Sequence, residues 1–414
     1  MTKRWRIFAV FAVMYLVAYF YRVSMAVIAR DLAADLPLDA SRIGMLSGAL
    51  FYAFALAQIP LGPLLDRFGG RIVVSLAGLV TVAGSFTFAL APGYGALLGG
   101  RILIGMGTAC VLMGALKVFT TWFSSREYAT ISGLIIAVGN VGNLCATAPL
   151  ALAVSLGGWR PPFLVVGALQ LGLTLLLFRV VRDRPAAGEG VEEEPLLAAT
   201  HRPVGALAGW GLVFSRPSFW PLALFSFFWY AGYMALQGLW GGPWLMEVMG
   251  LSRGGAGNLL LLTSVGFMTG CLFIGQVTDR LLKSRKWTLV AGQSLLLLLL
   301  LVLTLGPAEQ VPRWLLAVFF FAAGLAVSSG VAIYPMIREM FPSTLSATAT
   351  TALNFFVLTG AAVVQQVMGL IIGRFPRGPA GYPAEAYHAA FLVPVTGLAV
   401  AVTLFLFARD TSPR

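Results

Sequence analysis

Charged side chains are scarce in this chain of 414 residues. They make up 11% of the sequence, whereas 59% of the residues are hydrophobic, and the mean hydropathy is +0.87. A soluble domain has roughly 25% charged residues, so a water-soluble fold could not hide this much apolar surface. The apolar runs are about 20 residues long, the length at which an α-helix crosses a hydrocarbon core of about 30 Å. We therefore predict an all-α membrane protein embedded in the lipid bilayer, since helices satisfy their own backbone groups there.

Cysteine and histidine are rare as well, with three and two copies. Cys110, Cys145 and Cys271 lie within apolar runs, and their spacing matches neither a disulfide framework nor a metal site. No nucleophile, base and orienting group converge in the sequence, so we predict neither an enzyme nor a metal or other cofactor. The net charge is +12, but the basic residues are spread over loop ends, which argues against a nucleic-acid partner.

Twelve membrane spans are predicted from the apolar runs. Most Lys and Arg residues fall in loops on the side of the N-terminus, so the positive-inside rule places both termini in the cytoplasm of a bacterial-type inner membrane. The basic start of the chain imitates a signal peptide, but we interpret the first run as a retained span because it continues through an embedded arginine. The spans lie near residues 7–29, 43–64, 72–91, 95–117, 128–153, 162–181, 219–245, 256–278, 287–305, 314–336, 345–372 and 388–408.

One long polar segment, residues 182–216, separates spans six and seven. Its acidic run, Glu192 to Glu194, is interpreted as a solvated loop rather than a binding site. The domain prediction is an N-terminal six-helix bundle over 1–182, a cytoplasmic linker over 183–217 and a C-terminal six-helix bundle over 218–414. Residues 203–214 could form a short helix at the cytoplasmic interface.

A charged turn occurs twice in the chain. The pattern Gly-x-x-x-Asp-Arg at residues 62–67 returns 213 residues later at 275–280, in each case between two apolar runs. An Arg-Glu pair at 126–127 likewise returns at 338–339. Repetition at half the chain length indicates two pseudo-symmetric bundles joined end to end, an architecture typical of transporters.

These stretches resemble known motifs. Residues 62–71, GPLLDRFGGR, resemble the loop motif of the major facilitator superfamily, and residues 101–107, RILIGMG, resemble its motif in span four. The resemblance implies two six-helix bundles around a central cavity that opens alternately to each side. Residues 19–22, 122–127 and 158–160 are similar to the branch that contains organic-anion symporters and organophosphate antiporters.

The repeated charged positions are interpreted as gating contacts rather than substrate ligands. Glycines in the loop motif permit a tight turn and close approach, and its charged side chains can pair with neighbouring charges or helix ends. Plain anchoring of loops is the alternative. The predicted gating residues are Gly62, Asp66, Arg67, Arg71, Asp279, Arg280, Glu127 and Glu339. Near the outer end of span seven, Gly241, Gly242 and Pro243 would weaken the helix and suit an outer gate.

Two arginines are predicted inside spans. An ionised side chain there costs several kcal/mol, so Arg22 in span one and Arg101 in span four are functional candidates. Both lie somewhat outward of the midplane. Spans one and four line the cavity in the family that the chain resembles, so the two guanidinium groups could converge on one anion. The alternative for Arg101 is to organise the bundle, as its counterpart in relatives often does.

Tyrosines continue the polar face of span one, and span seven repeats the arrangement. Tyr15, Tyr19 and Arg22 follow i, i+4, i+7 spacing, and the corresponding side chains in span seven are Tyr230, Tyr233 and Gln237. Packing with a hydrogen-bonded hydroxyl is the alternative for the tyrosines. In the resembling organophosphate antiporters, arginines from both halves face the phosphate, whereas here the second position is a neutral glutamine. This asymmetry favours a monovalent anion.

Acidic residues are absent from the predicted spans. Where related organic-anion symporters have acids, this chain has Tyr21 and Thr108, so no cavity carboxylate is predicted for proton coupling. Exchange, facilitated uptake and protons carried by the substrate are the alternatives. Asn140, Asn143 and Asn354 could line the cavity or bond helix to helix.

The leading hypothesis is a monomeric secondary active or facilitative transporter of a small organic anion such as a monocarboxylate. The alternatives are a multidrug or metabolite exporter, a nitrate, nitrite or phosphate-ester transporter, and a membrane sensor that binds a metabolite without moving it.

Overall fold

The computed structural model describes residues 3–185, 206–408 and 410–411, and these are mainly α-helical. The first bundle consists of α1 (Lys3–Val23), α2 (Met25–Asp35), α3 (Ala40–Ala89), α4 (Tyr94–Thr108), α5 (Val111–Trp122), α6 (Ser125–Cys145), α7 (Ala148–Gly157) and α8 (Arg160–Val180). A short helix, α9 (Ala206–Phe214), precedes the second bundle.

The second bundle consists of α10 (Phe219–Tyr233), a π-helical segment (Met234–Trp240), α11 (Gly241–Glu247), α12 (Arg253–Gln276), a π-helical segment (Val277–Leu281), α13 (Arg285–Thr304), a 3-10 turn (Pro307–Gln310), α14 (Arg313–Ser328), a 3-10 turn (Ser329–Ala332), α15 (Ile333–Met340), α16 (Ser343–Ile372) and α17 (Ala384–Phe405).

The helices agree with the predicted spans. Among the described residues, 11 helical stretches are long and apolar enough to cross a membrane. One of them, α3, has 50 residues and covers the second predicted span and the third up to Ala89. It changes direction at Gly69, whose φ of 77° is a left-handed conformation that favours glycine. Dividing α3 there gives twelve crossings and confirms the predicted fold class.

The linker is described only in part. The helix predicted over 203–214 begins at Ala206 and ends at Phe214. Glu192 to Glu194 lie outside the described residues. The boundaries at 182/183 and 217/218 stay a prediction.

The crossings define two faces of the molecule. The terminus face contains the start of α1 and the end of α17, and the opposite face contains the ends of α2 and α11. These names carry no assignment to cytoplasm or exterior.

The first span of each bundle is interrupted at an equivalent position. Between α1 and α2, the Tyr21 carbonyl accepts hydrogen bonds from Arg101 Nη1 at 2.9 Å and Ser24 Oγ at 3.2 Å. In the second bundle, the carbonyl of Met234, at the start of the π-helical segment, accepts from Gln365 Nε2 at 2.7 Å. Carbonyls released from a helical ladder in lipid need such partners. In each bundle a side chain from another span supplies one, and Arg22 lies directly beside the first interruption.

Candidate functional site

Arg22 lies in the last turn of α1 with its side chain 7% exposed. Two aromatic rings hold its guanidinium group: the guanidinium carbon is 4.4 Å from the ring centroid of Tyr19 and 4.7 Å from that of Phe54 on α3. Each such cation–π contact is worth roughly 0.5–2 kcal/mol, with the larger values for desolvated pairs. The rings therefore stabilise the cation without neutralising it.

Hydroxyl groups from both bundles surround this cation. Tyr230 of α10, Tyr15 and Tyr19 interact electrostatically with the Arg22 side chain. The hydroxyl of Tyr15 donates to that of Tyr19 at 3.3 Å. The buried Nε of Arg22 has no hydrogen-bond partner. This donor is therefore available to an acceptor on a ligand.

Tyr334 joins the same group, although the sequence analysis did not predict it. It interacts electrostatically with Tyr19, Tyr230 and Arg22. Its hydroxyl donates to Asn354 Oδ1 at 3.2 Å, and Asn354 Nδ2 donates to Gln58 Oε1 at 2.9 Å. Asn354 thus bonds helix to helix and connects the group to the first bundle. Helical spacing in the sequence could not predict Tyr334, because it is the single tyrosine of the short helix α15.

We call this set the arginine–tyrosine cluster. Its members are Arg22, Tyr15, Tyr19, Tyr230, Tyr233 and Tyr334. One permanent cation is combined with several hydroxyl donors, a donor set suited to carboxylate or another small oxyanion. Because the side chains come from both bundles, a ligand in the cluster would contact both.

Tyr233 and Gln237 lie at different distances from this centre. Tyr233 interacts electrostatically with Tyr230 and Tyr19, and its ring stacks on Phe267 at 5.5 Å between centroids. Gln237 is fully buried, and its Nε2 donates to Ser264 Oγ of α12 at 3.0 Å. The structure therefore directs the Gln237 amide to a neighbouring span of its own bundle.

Arg101 is fully buried and bonded to main-chain oxygens. Its Nη1 donates to the Tyr21 carbonyl at 2.9 Å, and its Nε donates to the Leu46 carbonyl at 3.1 Å. These bonds tie α4 to α1 and α3. Such contacts correspond to the organising alternative stated for Arg101, while the guanidinium of Arg22 has the tyrosine contacts.

The asparagines of span five bond within their own helix. Asn140 Nδ2 donates to the Ile136 carbonyl at 3.0 Å, and Asn143 Nδ2 donates to Asn140 Oδ1 at 3.3 Å. Both side chains are buried.

The loop-motif residues make contacts within the first bundle. Asp66 forms an ion pair with Lys117 of α5. Arg71 Nε donates to the Phe178 carbonyl at 2.9 Å, and its guanidinium carbon lies 4.4 Å from the Phe178 ring centroid. Arg67 lies over the ring of its neighbour Phe68 at 5.1 Å.

The surroundings of Gly62 differ from the close approach that was predicted for the glycines of the loop motif. A Cβ there would meet no heavy atom within 4 Å. Close approach does not require this glycine, and the turn is made by Gly69 instead.

The remaining predicted gating residues lie near the terminus face. Glu127 pairs with Arg4 at 3.1 Å and accepts from the Ser124 backbone at 3.2 Å, which caps α6. Glu339 pairs with Arg285 at 2.6 Å. Arg280 is exposed, and the Asp279 side chain lies outside the described part of the chain. Since each of these ion pairs joins helices of one bundle, the gating role stays a prediction.

Sequence comparison identifies relatives with a shared architecture. The model of the Major Facilitator Superfamily matches residues 7–307. The chain is 25% identical over 366 residues to the "Probable L-galactonate transporter" of Escherichia coli (strain K12), covering 86% of this chain and 80% of that protein. It is 27% identical over 289 residues to the "Probable sulfoacetate transporter SauU" of Cupriavidus necator, covering 68% of this chain and 66% of that protein.

Structure comparison gives the same fold. The inward-facing, unoccupied structure of a bacterial homolog of the human lysosomal transporter Spinster superposes with a TM-score of 0.80 and 20% identity, covering 98% of this chain and 97% of that one. The D-xylose-proton symporter gives a TM-score of 0.76 and 15% identity, with 99% and 98% covered. The predicted resemblance is confirmed: the chain belongs to the major facilitator superfamily of membrane transporters.

Proposed function

We propose that this transporter carries a small monovalent organic anion, such as a monocarboxylate, with Arg22 as its principal ligand. The single observation that carries the proposal is the buried guanidinium of Arg22, held by aromatic rings and hydroxyls with its Nε unpaired. A desolvated cation in this state gains free energy from an incoming anion. Carboxylate oxygens are strong acceptors from guanidinium and hydroxyl groups.

We propose a ligand with a single negative charge because the other predicted ligands, Arg101 and Gln237, are bonded within the protein. Arg101 is bonded to two main-chain carbonyls, and Gln237 is neutral and bonded to Ser264. The cluster therefore offers one positive charge, and a second negative charge on the ligand would be desolvated without compensation. The similarity to the probable L-galactonate transporter of Escherichia coli supports a carboxylate.

Alternating access is the proposed mechanism. Arg22 belongs to the first bundle and Tyr230 to the second, so an anion held between them would interact with both. Binding can shift a conformational equilibrium only through different interactions in its states, and a ligand shared by two moving bundles meets that condition. The proposed orientation places the terminus face in the cytoplasm, and the proposed working unit is the monomer.

A thermal-shift screen of the purified protein tests the ligand and the site together. The probes are acetate, benzoate, L-galactonate, nitrate and glucose 6-phosphate, with D-xylose as an uncharged control. A ligand at 100 times its Kd should stabilise the native state by about 2.7 kcal/mol. We expect this with a monocarboxylate on the wild type and not on Arg22→Gln.

A matched control removes an arginine elsewhere. Arg313 is exposed at the start of α14, so Arg313→Gln should keep the full ligand shift. An equal shift on Arg22→Gln and the wild type would contradict the site. Selective stabilisation by nitrate or the phosphate ester would contradict the substrate class.

Uptake into proteoliposomes then distinguishes a carrier from a sensor. The stabilising anion, radiolabelled, should accumulate inside vesicles that contain the wild type and not in those that contain Arg22→Gln. Binding without uptake would favour the sensor alternative.

A further inference from the structure

The two bundles approach closely at the opposite face. A Cβ on Gly242 of α11 would overlap the carbonyl oxygen of Ala26 on α2, and a Cβ on Gly44 would lie 2.8 Å from the Gln365 carbonyl oxygen of α16. Only glycine permits such backbone approach. This face is therefore closed between the bundles, and something must hold it closed until the transporter changes state.

A short connection between α16 and α17 lies across this closed face. We call residues 373–383 the strap. Gly378 and Gly381 exchange two backbone hydrogen bonds of 2.9 and 3.2 Å, which folds the strap into a tight loop. Gly381 has a φ of +126°, and a Cβ there would overlap the Glu247 side chain at the end of α11. The Tyr382 N–H donates to Glu247 Oε2 at 2.9 Å. The strap is thus fastened to the seventh span.

The side chain of Tyr382 reaches the other bundle. The Ala40 N–H, in the first turn of α3, donates to the hydroxyl of Tyr382 at 3.1 Å. First-turn N–H groups have no partner inside their own helix, so an external acceptor is needed. One tyrosine therefore connects Glu247 of the second bundle with the start of span two in the first bundle.

An ion pair forms a second connection nearby. Asp31 of α2 pairs with Arg253 at the start of α12, and the two side chains are 21% and 28% exposed. Both acids of α2, Asp31 and Asp35, lie beyond residue 29, where the first span was predicted to end. Burial raises the pKa of Asp31 although Arg253 lowers it, which indicates a desolvated pair. Removing one partner of such a pair leaves the other charge buried and uncompensated.

The chain contains matched contacts that do not cross between the bundles. Asp35, one turn further along α2, pairs with Arg160 of the same bundle. Hydrogen bonds from Arg160 and Trp159 lower the pKa of Asp35. The hydroxyl of Tyr387 donates to Glu247 Oε2 at 2.7 Å within the second bundle. Asp35 and Tyr387 thus have the same side chains as Asp31 and Tyr382 and lie on the same face, but their contacts stay within one bundle.

We propose that the strap, through Tyr382, and the Asp31–Arg253 pair form a clamp that holds the opposite face closed and must release before that face opens. The clamp rests on the family fold and on these contacts, not on the identity of the transported anion.

Spin-label distances measure the clamp directly. Labels are placed at Gly95→Cys and Gln310→Cys, exposed positions on the opposite face of the two bundles, with the three native cysteines replaced by alanine. Double electron–electron resonance without any ligand then reports the fraction of molecules with that face open. Losing one interaction of this kind should increase this fraction about threefold to tenfold in Asp31→Asn and in Tyr382→Phe.

The controls are Asp35→Asn and Tyr387→Phe, which should change the open fraction by less than about twofold, as expected for contacts within one bundle. The charge swap Asp31→Arg with Arg253→Asp should restore the wild-type fraction, which separates a lost contact from poor folding. Equal effects in controls and clamp variants, or no effect in either clamp variant, would overturn the proposal. Because no ligand is added, a failed anion screen leaves this test unaffected.

Discussion

At the scale of single residues, Arg22 and Arg101 have the same side chain but different neighbours, and we infer different roles for them from those neighbours. Arg101 donates to the Tyr21 carbonyl at the interruption of the first span and to the Leu46 carbonyl of α3, whereas Arg22 is enclosed by the rings of Tyr19 and Phe54. Each guanidinium keeps one buried nitrogen without a partner, Nε in Arg22 and Nη2 in Arg101, but only Arg22 has no carbonyl partner and lies among the tyrosine hydroxyls of both bundles.

Replacing each arginine by leucine should affect stability differently. Arg101→Leu leaves the Tyr21 and Leu46 carbonyls without these donors, and we expect the free energy of unfolding to fall by about 2–5 kcal/mol. Arg22→Leu should cost about 1 kcal/mol or less, because the lost contacts are offset by removal of a desolvated charge. Thermal unfolding in detergent without ligand measures both. An equal loss in the two variants would contradict this division of roles.

The Tyr230 hydroxyl is expected to contribute to anion affinity. Tyr230→Phe keeps the ring and removes a hydroxyl beside Arg22 that can donate to the bound anion. A hydrogen bond to a charged group is worth about 1.5–3 kcal/mol, so affinity should fall roughly 10- to 100-fold. Titration calorimetry with the anion from the screen measures this change. The control is Tyr94→Phe on the opposite face, which should leave the Kd unchanged. A Tyr230→Phe Kd equal to that of the wild type would remove Tyr230 from the site.

At the scale of helices, spans one and seven are interrupted at positions related by the sequence repeat. The segments beyond these interruptions, α2 and α11, are the ones that meet at Ala26 and Gly242. An interrupted helix can change direction without straining a continuous hydrogen-bond ladder. The interruption beside Arg22 thus also allows α2 and α11 to converge.

The contact between α2 and α11 predicts that alanine lowers the free energy of unfolding at Gly242 and not at Gly95. Gly242→Ala would overlap the Ala26 carbonyl, and overpacking of this kind should lower the free energy of unfolding by about 1–3 kcal/mol. Gly95 has open space around its Cβ position, so Gly95→Ala in helix α4 should be neutral or stabilising by up to about 1 kcal/mol. Thermal unfolding compares the two variants. Tolerance of Gly242→Ala would show that α2 and α11 separate easily.

At the scale of the whole molecule, the two bundles share an architecture but not their polar contacts. The apolar runs predicted the spans and the fold class correctly, since membrane length and hydropathy constrain every crossing. The candidate site was predicted in part. Arg22 and the tyrosines of spans one and seven share a cluster, but Gln237 is bonded to Ser264. Helical periodicity shows which side chains share a face, and not which neighbour that face meets.

The sequence by itself determined a twelve-span membrane fold and a buried arginine beside a row of tyrosines. Both follow from local rules: the bilayer requires long apolar helices, and an embedded charge is too costly to be incidental. Only the tertiary structure decided that Tyr334 and Phe54 surround Arg22, that Arg101 serves main-chain carbonyls, and that Tyr382 and Arg253 reach the first bundle. Those contacts join residues tens to hundreds of positions apart, so they depend on how helices pack against one another.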